Sequence, residues 1–156
     1  MTRGFVFSRL LILGLTVSLT MASATQGGEF SAELRGEDGT LNLVGEAGFM
    51  ELPSMYSVYL QAKEGRCAIH LSGFREAPTE GTYVVESSDS LRIRALCVLE
   101  SAEPRERLLA ERGQLTITGR TPVRLDGVFD FTLVGGITGK ELRLDGSFSS
   151  SLTSEI

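Results

Sequence analysis

The stretch RLDGVFDFTL (Arg124–Leu133) decides the fold, because it returns near the C-terminus as RLDGSFSSSL (Arg143–Leu152). In an extended chain, alternate residues share one face. The Leu, Gly and Phe of each copy therefore point to one side, and the Arg and Asp point to the other. This RLDGxF repeat predicts two neighbouring antiparallel strands with one dry face and one wet face.

The repeat also predicts how the two strands align. In one register Gly127 faces Phe148 and Phe129 faces Gly146, so that each ring covers the bare backbone of a glycine. The competing register aligns the two glycines and gains an Asp–Arg pair on the wet face. We favour the first register, although it sets two aspartates opposite each other, because reciprocal Gly–Phe packing explains the repetition without any chemical activity.

The same period-two alternation runs through the rest of residues 25–156. The segments that place apolar side chains on one face are EFSAELR, TLNLV, MYSVYLQA, CAIHL, GTYVVE, SLRIRALCVL and GQLTITG. Gly, Pro, Ser and Asp separate them, and Asp38-Gly39 is a hairpin signal because both residues tolerate positive φ. We therefore predict an all-β fold, an antiparallel β-sandwich or small β-barrel of about nine strands.

The segment ESAEPRERLLAERG (100–113) leaves two interpretations open. One short helix near 102–112 is favoured by four features: strong helix formers, acidic residues early in the segment, Arg112 near its end and Gly113 as a C-cap. Alternatively, the segment extends the GQLTITG strand towards the N-terminus.

The N-terminus predicts export. A basic start with Arg3 and Arg9 precedes an apolar run that ends in the A-x-A pattern of Ala22–Ala24, the layout of a secretory signal peptide. The apolar run is shorter than the ~20 residues of a membrane-spanning helix. We predict that residues 1–24 are a cleaved signal peptide and residues 25–156 a single β domain, periplasmic or secreted, with no membrane anchor after cleavage.

Charge limits the classes of partner. The chain has 15 Lys and Arg against 20 Asp and Glu, and the predicted signal peptide takes two of the basic residues away. The acidic mature chain is repelled by phosphate backbones and anionic lipid. We therefore expect neither nucleic-acid binding nor polybasic membrane binding.

The two cysteines predict a disulfide. Cys67 and Cys97 both lie on the apolar faces of their predicted strands, so both thiols point into the core. Two buried thiols in an exported protein are expected to be oxidised. In the chain-entropy model, closing the loop between them stabilises the fold by about 3–4 kcal/mol.

Residues that carry catalysis are sparse. His70, the single histidine, is expected on a wet face, and no G-x-S-x-G, G-x-G-x-x-G or phosphate-loop pattern occurs. Zinc would lack ligands, and the GEDGT turn offers calcium two carboxylates at most. Asp126, Asp130 and Asp145 are expected on wet strand faces, where acidic side chains are ordinary. We predict no catalytic residue, no cofactor and no metal site.

An apolar cluster is the candidate interaction surface. The cluster consists of Phe49, Met50, Leu52 and Met55. Two interpretations fit it: the side chains form a binding surface, or they seal one end of the core. We predict an exported, non-catalytic binding or interaction module for an unknown protein, a glycan or a small apolar ligand, since small β-barrels often enclose such ligands. The alternatives are a small exported hydrolase that uses surface carboxylates, and an inhibitor of an extracytoplasmic hydrolase. The inhibitor would have a protruding loop over 102–112 or in the stretch EAGFMELPSMY (46–56).

The C-terminal third carries a family resemblance. Four sequence patterns follow one another here: a G-x-L-x-I strand over Gln114–Thr118, a G-x-F-x-F strand over Gly127–Phe131, a T-G-K turn at Thr138–Lys140 and a final G-x-F at Gly146–Phe148. This order resembles a group of small exported bacterial β-domains of unknown function, whose earlier G-x-Y strand is similar to EGTYVV here. The resemblance implies a bacterial, secreted β-fold, and it implies no activity, cofactor or site residue.

Overall fold

The computed structural model describes residues 27–63, 66–86, 91–97 and 106–152, and within these ranges the chain forms nine β-strands and no helix. In these ranges, then, no helix is long and apolar enough to cross a membrane. The strands are β1 (Gly28–Gly36), β2 (Gly39–Leu52), β3 (Met55–Ala62), β4 (Cys67–Phe74), β5 (Gly81–Glu86), β6 (Arg92–Cys97), β7 (Glu106–Thr121), β8 (Arg124–Gly135) and β9 (Glu141–Leu152).

The strands close into an antiparallel barrel of eight strands with one extra strand. Hydrogen-bonded neighbours follow the order β1, β2, β3, β4, β6, β7, β8 and β9, and β9 returns to β1. The extra strand is β5, which pairs with Arg112–Ile117 of β7, whereas β6 pairs with Glu106–Leu109 of the same strand. The all-β prediction is confirmed, and of the two predicted architectures the barrel is the observed one.

Residues 106–112 are strand and not helix. β7 begins at Glu106 and pairs with β6 on one side and β8 on the other. The prediction of a short helix near 102–112 is therefore wrong for 106–112, and residues 102–105 lie outside the described residues. Helix propensities differ by less than ~1 kcal/mol per residue, so two hydrogen-bonded neighbours and a fully buried Leu108 override them.

Gly113 was expected to cap that helix, and the structure gives it a different role. It has a positive φ of 151° and follows an irregularity in the β7–β8 pairing between Ala110 and Arg112. A Cβ atom at Gly113 would collide with the carbonyl oxygen of Asp130. Glycine is therefore required here because two backbones approach closely beside a bulge.

β8 and β9 pair in the register that the RLDGxF repeat predicts. Gly127 faces Phe148, and Phe129 faces Gly146. A Cβ atom on Gly127 would lie 2.7 Å from the ring of Phe148, so this ring covers that glycine closely. At Gly146 the nearest atoms belong instead to β1, with the Cβ of Ala32 at 2.6 Å. The reciprocal packing is thus seen at Gly127, while Gly146 lets a third strand approach.

On the wet face of the same strands, arginine side chains pair with the two facing aspartates. Asp130 faces Asp145 in the ladder, as this register requires. Arg143 reaches diagonally to Asp130, and Nη1 of Arg35 in β1 lies 3.1 Å from Oδ1 of Asp145. The ion pair that favoured the competing register is therefore formed in the observed one.

Apolar side chains fill the inward faces of the strands. Cys67 of β4 lies directly opposite Cys97 of β6, with Cα atoms 4.1 Å apart, and the expected disulfide joins them within the core. Phe129 stacks on Phe131 and on Phe148 with ring centroids 5.5 and 6.3 Å apart. The largest fully buried side chains include Phe49, Phe131, Leu34, Leu43, Leu60 and Ile69.

Candidate functional site

An open cleft lies at one end of the barrel, between the end of β2, the start of β3 and the end of β7. Its volume is about 370 Å³. This size is near the lower end of the range of ligand pockets, which are commonly found in the mouths of β-barrels. The residues that line the cleft are Phe49, Glu51, Tyr56, Arg120, Thr121 and Pro122.

The end of β9 brings these distant segments together. β2 runs past the start of β1 and there pairs directly with β9, with Phe49 beside Leu152. The backbone N–H of Leu152 donates to the carbonyl oxygen of Val123, in the turn between β7 and β8, at 3.0 Å. The β2 side and the β7 side of the cleft are therefore fixed to the same strand end.

Two aromatic rings form the floor of the cleft. Phe49 is 1% exposed and Tyr56 2% exposed, and their rings are stacked with centroids 5.2 Å apart. Tyr56 meets Phe74 edge-on at 6.4 Å, and Phe74 meets Tyr83 edge-on at 5.8 Å. The row of rings spans β2, β3, β4 and β5, so the floor is continuous with the core.

The hydroxyl of Tyr56 is the neutral donor of the cleft. Within the described ranges it forms no hydrogen bond, whereas the hydroxyl of Tyr83 accepts from the backbone N–H of Thr79 at 2.8 Å and donates to its carbonyl oxygen at 3.1 Å. A tyrosine hydroxyl that reaches solvent donates to water where the protein supplies no acceptor. The hydroxyl of Tyr56 borders the cleft, so a bound molecule can supply the missing acceptor.

Two opposite charges lie beside this hydroxyl. Glu51 faces Tyr56 across the β2–β3 ladder, and Arg120 lies near the end of β7. Burial raises the pKa of the Tyr56 hydroxyl to about 12, with the positive charge of Arg120 lowering it and the negative charge of Glu51 raising it. The hydroxyl is therefore protonated at neutral pH and acts as a hydrogen-bond donor.

The two charges are not neutralised by each other. Among the described residues, neither Glu51 nor Arg120 forms an ion pair or a hydrogen bond. Arginines on other parts of the barrel surface do hold carboxylates: Arg35 holds Glu33 and Asp145, Arg112 holds Glu141, Arg124 holds Asp126 and Arg143 holds Asp130. The cleft thus offers a cation, an anion and a neutral donor above an aromatic floor.

The structure does not bring the four residues of the predicted interaction surface together as one exposed patch. Phe49 is in the core, Met50 and Leu52 are half-buried, and Met55 is 41% exposed. Only Phe49 of the four lines the cleft. A role in binding stays a prediction for these residues, and for Phe49 the contact surface is the floor of the cleft.

His70 lies on the outer face of the barrel and does not line the cleft. It faces Tyr59 of β3 and Arg94 of β6. Partial burial and the positive charge of Arg94 lower the pKa of His70. It is therefore mainly neutral at pH 7, in agreement with its expected place on a strand's wet face.

The carboxylates that were considered for chemistry are engaged by cations. Nε of Arg124 lies 2.9 Å from Oδ1 of Asp126, and Lys140 pairs with Asp38 of the GEDGT turn. In the described ranges there is no group of three or more His, Cys, Asp or Glu side chains that could hold a metal ion. None of these carboxylates lines the cleft.

Glu106 is a buried carboxylate that sequence reasoning missed. It is 7% exposed, and its Oε1 accepts hydrogen bonds from the N–H of Ile137 and of Thr138 at 3.1 Å and from the Thr138 hydroxyl at 3.2 Å. Burial raises the pKa of Glu106, but these hydrogen bonds and the charge of Lys140 lower it by more, so the net shift is downwards. Glu106 therefore fixes the turn between β8 and β9.

Comparison with known proteins adds no family to this picture. No protein-family model, no curated protein and no solved structure matches the chain. The resemblance of the C-terminal segments to small exported β-domains stays a prediction. Within the part of the chain that the structure describes, we argue a function from the cleft.

Proposed function

We propose that this protein is an exported, non-catalytic binding module that holds a small ligand in the cleft at the end of its barrel. The observation that carries the proposal is the hydroxyl of Tyr56, which borders the cleft, keeps its proton at neutral pH and forms no hydrogen bond within the described ranges. A ligand with an acceptor group can take the place of water at this donor, and such a hydrogen bond contributes about 0.5–1.5 kcal/mol to binding. The concave shape, the aromatic floor and a few converging polar groups are typical of ligand sites.

Two observations support export to the periplasm or beyond. The predicted signal peptide over 1–24, which lies outside the described residues, directs the chain out of the cytoplasm. The Cys67–Cys97 disulfide is compatible with an oxidising compartment.

The alternative functions have less support. A hydrolase that used Asp126, Asp130 or Asp145 would rely on carboxylates that arginines already hold and that lie away from the cleft. An inhibitor was expected to present a protruding loop over 102–112 or in the stretch 46–56. Residues 106–112 instead form part of the barrel wall, and 46–56 form the end of β2, a two-residue turn and the start of β3. Both alternatives stay predictions.

Nuclear magnetic resonance of the exported, ¹⁵N-labelled protein tests the proposal. The probes are small carboxylic acids, amines, alcohols and amino acids, each added at millimolar concentration. We expect at least one probe class to shift the amide signals of Glu51, Tyr56 and Arg120 in a saturable way. Tyr56→Phe should weaken that binding about fivefold or more, since one hydrogen bond contributes ~1 kcal/mol.

The control variant is Tyr59→Phe, which removes a hydroxyl from the neighbouring outward-facing tyrosine of β3 and should leave the affinity unchanged. The proposal is wrong if no probe class gives saturable shifts at the cleft. It is also wrong if Tyr56→Phe and Tyr59→Phe bind the probes as well as the unaltered protein does.

A further inference from the structure

The charges in the cleft restrict the chemistry of its ligand. Glu51 and Arg120 line the same space and both act on the hydroxyl of Tyr56, but they do not pair with each other. A ligand that carries one charge satisfies one of them and is repelled by the other. A ligand that carries both charges satisfies both, and such matching of charge is how sites select among ligands of similar size.

We propose that the cleft binds a small zwitterion, an α-amino acid with an apolar side chain, with its carboxylate held by Arg120 and the Tyr56 hydroxyl and its ammonium held by Glu51. This inference rests on the binding function proposed above and names the ligand class.

The orientation of the ligand follows from the donors and acceptors. Arginine presents a planar fork of N–H groups that matches a carboxylate. The hydroxyl of Tyr56 keeps its proton, because its pKa is raised to about 12, so it donates to the same carboxylate. An ionised Glu51 is an acceptor only, and hydrogen bonds between ionised groups of opposite charge are the strongest, so an ammonium group is the donor that fits it best.

The floor and the overall charge fit the same ligand. The exposed ring of Pro122, which lines the cleft beside the buried rings of Phe49 and Tyr56, offers an apolar surface for a side chain. The chain carries 20 acidic against 15 basic residues, so its field opposes the approach of a simple anion. A zwitterion has no net charge and can deliver a carboxylate to Arg120 without that repulsion.

The test compares three probes that share one aromatic group: L-phenylalanine with both charges, 3-phenylpropanoate with the carboxylate only, and 2-phenylethylamine with the ammonium only. Titration calorimetry and amide shifts of the exported protein at pH 7 give the affinities. We expect phenylalanine to bind about tenfold or more tightly than either single-charge probe, with its shifts centred on Glu51, Tyr56 and Arg120.

Three variants assign each charge. Glu51→Gln should abolish the preference for phenylalanine over 3-phenylpropanoate, and Arg120→Gln should abolish its preference over 2-phenylethylamine. Arg112→Gln is the matched control, because Arg112 is an exposed arginine of the same strand that pairs with Glu141 away from the cleft. It should leave all three affinities unchanged.

The outcomes separate this inference from the binding function. If 3-phenylpropanoate or 2-phenylethylamine binds in the cleft as tightly as phenylalanine, the zwitterion proposal is overturned and the binding function stands. If none of the three probes binds at millimolar concentration, the zwitterion proposal is also overturned. The binding function itself is overturned only when the wider set of acids, amines, alcohols and amino acids fails as well.

Discussion

Replacing Phe129 by alanine tests whether the RLDGxF repeat closes the barrel through its inward side chains. The ring is 4% exposed, faces Gly146 on β9 and stacks on both Phe131 and Phe148. Because Gly146, directly opposite Phe129, has no side chain and β1 occupies the space next to it, the facing position of β9 offers no side chain that could fill the void. The variant should therefore keep most of the cavity that it creates.

The expected loss follows from these contacts. Truncating a buried phenylalanine to alanine costs about 3–5 kcal/mol, and each lost aromatic pair adds about 0.5–1.5 kcal/mol to the simple burial of area. With two stacked neighbours and a void that cannot collapse, we expect a loss of about 4–5 kcal/mol in the free energy of unfolding of Phe129→Ala.

Urea unfolding of the protein, followed by circular dichroism with the disulfide intact, measures this loss. The control is Val128→Ala, which truncates the adjacent, outward-facing side chain and should cost less than about 1 kcal/mol. A loss below about 1 kcal/mol for Phe129→Ala, with an unchanged denaturant slope, would show that the ring is not part of the packed core and would refute the inward assignment.

Three other perturbations test separate parts of the barrel. Glu106→Ala should lower the free energy of unfolding by about 2–3 kcal/mol, because three donors lose their acceptor. The folded-state pKa of Glu106 lies below its unfolded value, so this contribution is present at neutral pH and is lost as the pH falls through the lowered pKa. If the urea midpoint of the unaltered protein changes between pH 7 and pH 3 no more than that of Glu106→Ala, this role of Glu106 is contradicted. Joint replacement of Cys67 and Cys97 by alanine should cost about 3–4 kcal/mol, as measured by urea unfolding, and a midpoint equal to that of the unaltered, oxidised protein would contradict the disulfide. Gly127→Ala should cost about 1–3 kcal/mol by thermal unfolding, because its methyl group meets the ring of Phe148, and an unchanged melting temperature would mean that this ring does not cover the glycine.

Alternation in the sequence predicted the buried side of the strands in which apolar and polar residues alternate cleanly. It did not do so for GTYVVE, which has apolar residues on both faces, or for the first part of β7, which helical and extended interpretations fitted equally. Alternation was sufficient for the register of β8 and β9, because Gly127 and Phe148 occupy matching places in two copies of one pattern. It could not distinguish a sandwich from a barrel, since both bury one face of every strand. Closure depends on the pairing of β1 with β9, between the two ends of the described chain, and no local pattern signals that pairing.

The sequence did not predict the cleft. Of the predicted interaction surface, only Phe49 lines it, as part of the floor beside Tyr56. Arg120 is one of 15 basic residues and sits in an ordinary strand segment. It reaches the cleft only because Leu152 ties the β7–β8 turn to β2, and a contact of this kind between distant segments leaves no trace in the spacing of residues.

The two tyrosines of the aromatic row give a final test, because they differ in one respect. The hydroxyl of Tyr83 has two hydrogen bonds to the backbone of Thr79, whereas that of Tyr56 has none within the described ranges. Without ligand, Tyr83→Phe should therefore destabilise the protein by about 1 kcal/mol, and Tyr56→Phe should leave its stability nearly unchanged, since it removes no hydrogen bond within the described ranges. Urea unfolding of both variants measures the difference. If Tyr56→Phe loses as much stability as Tyr83→Phe, the hydroxyl of Tyr56 already has a partner inside the protein, and the reason for placing a ligand there disappears.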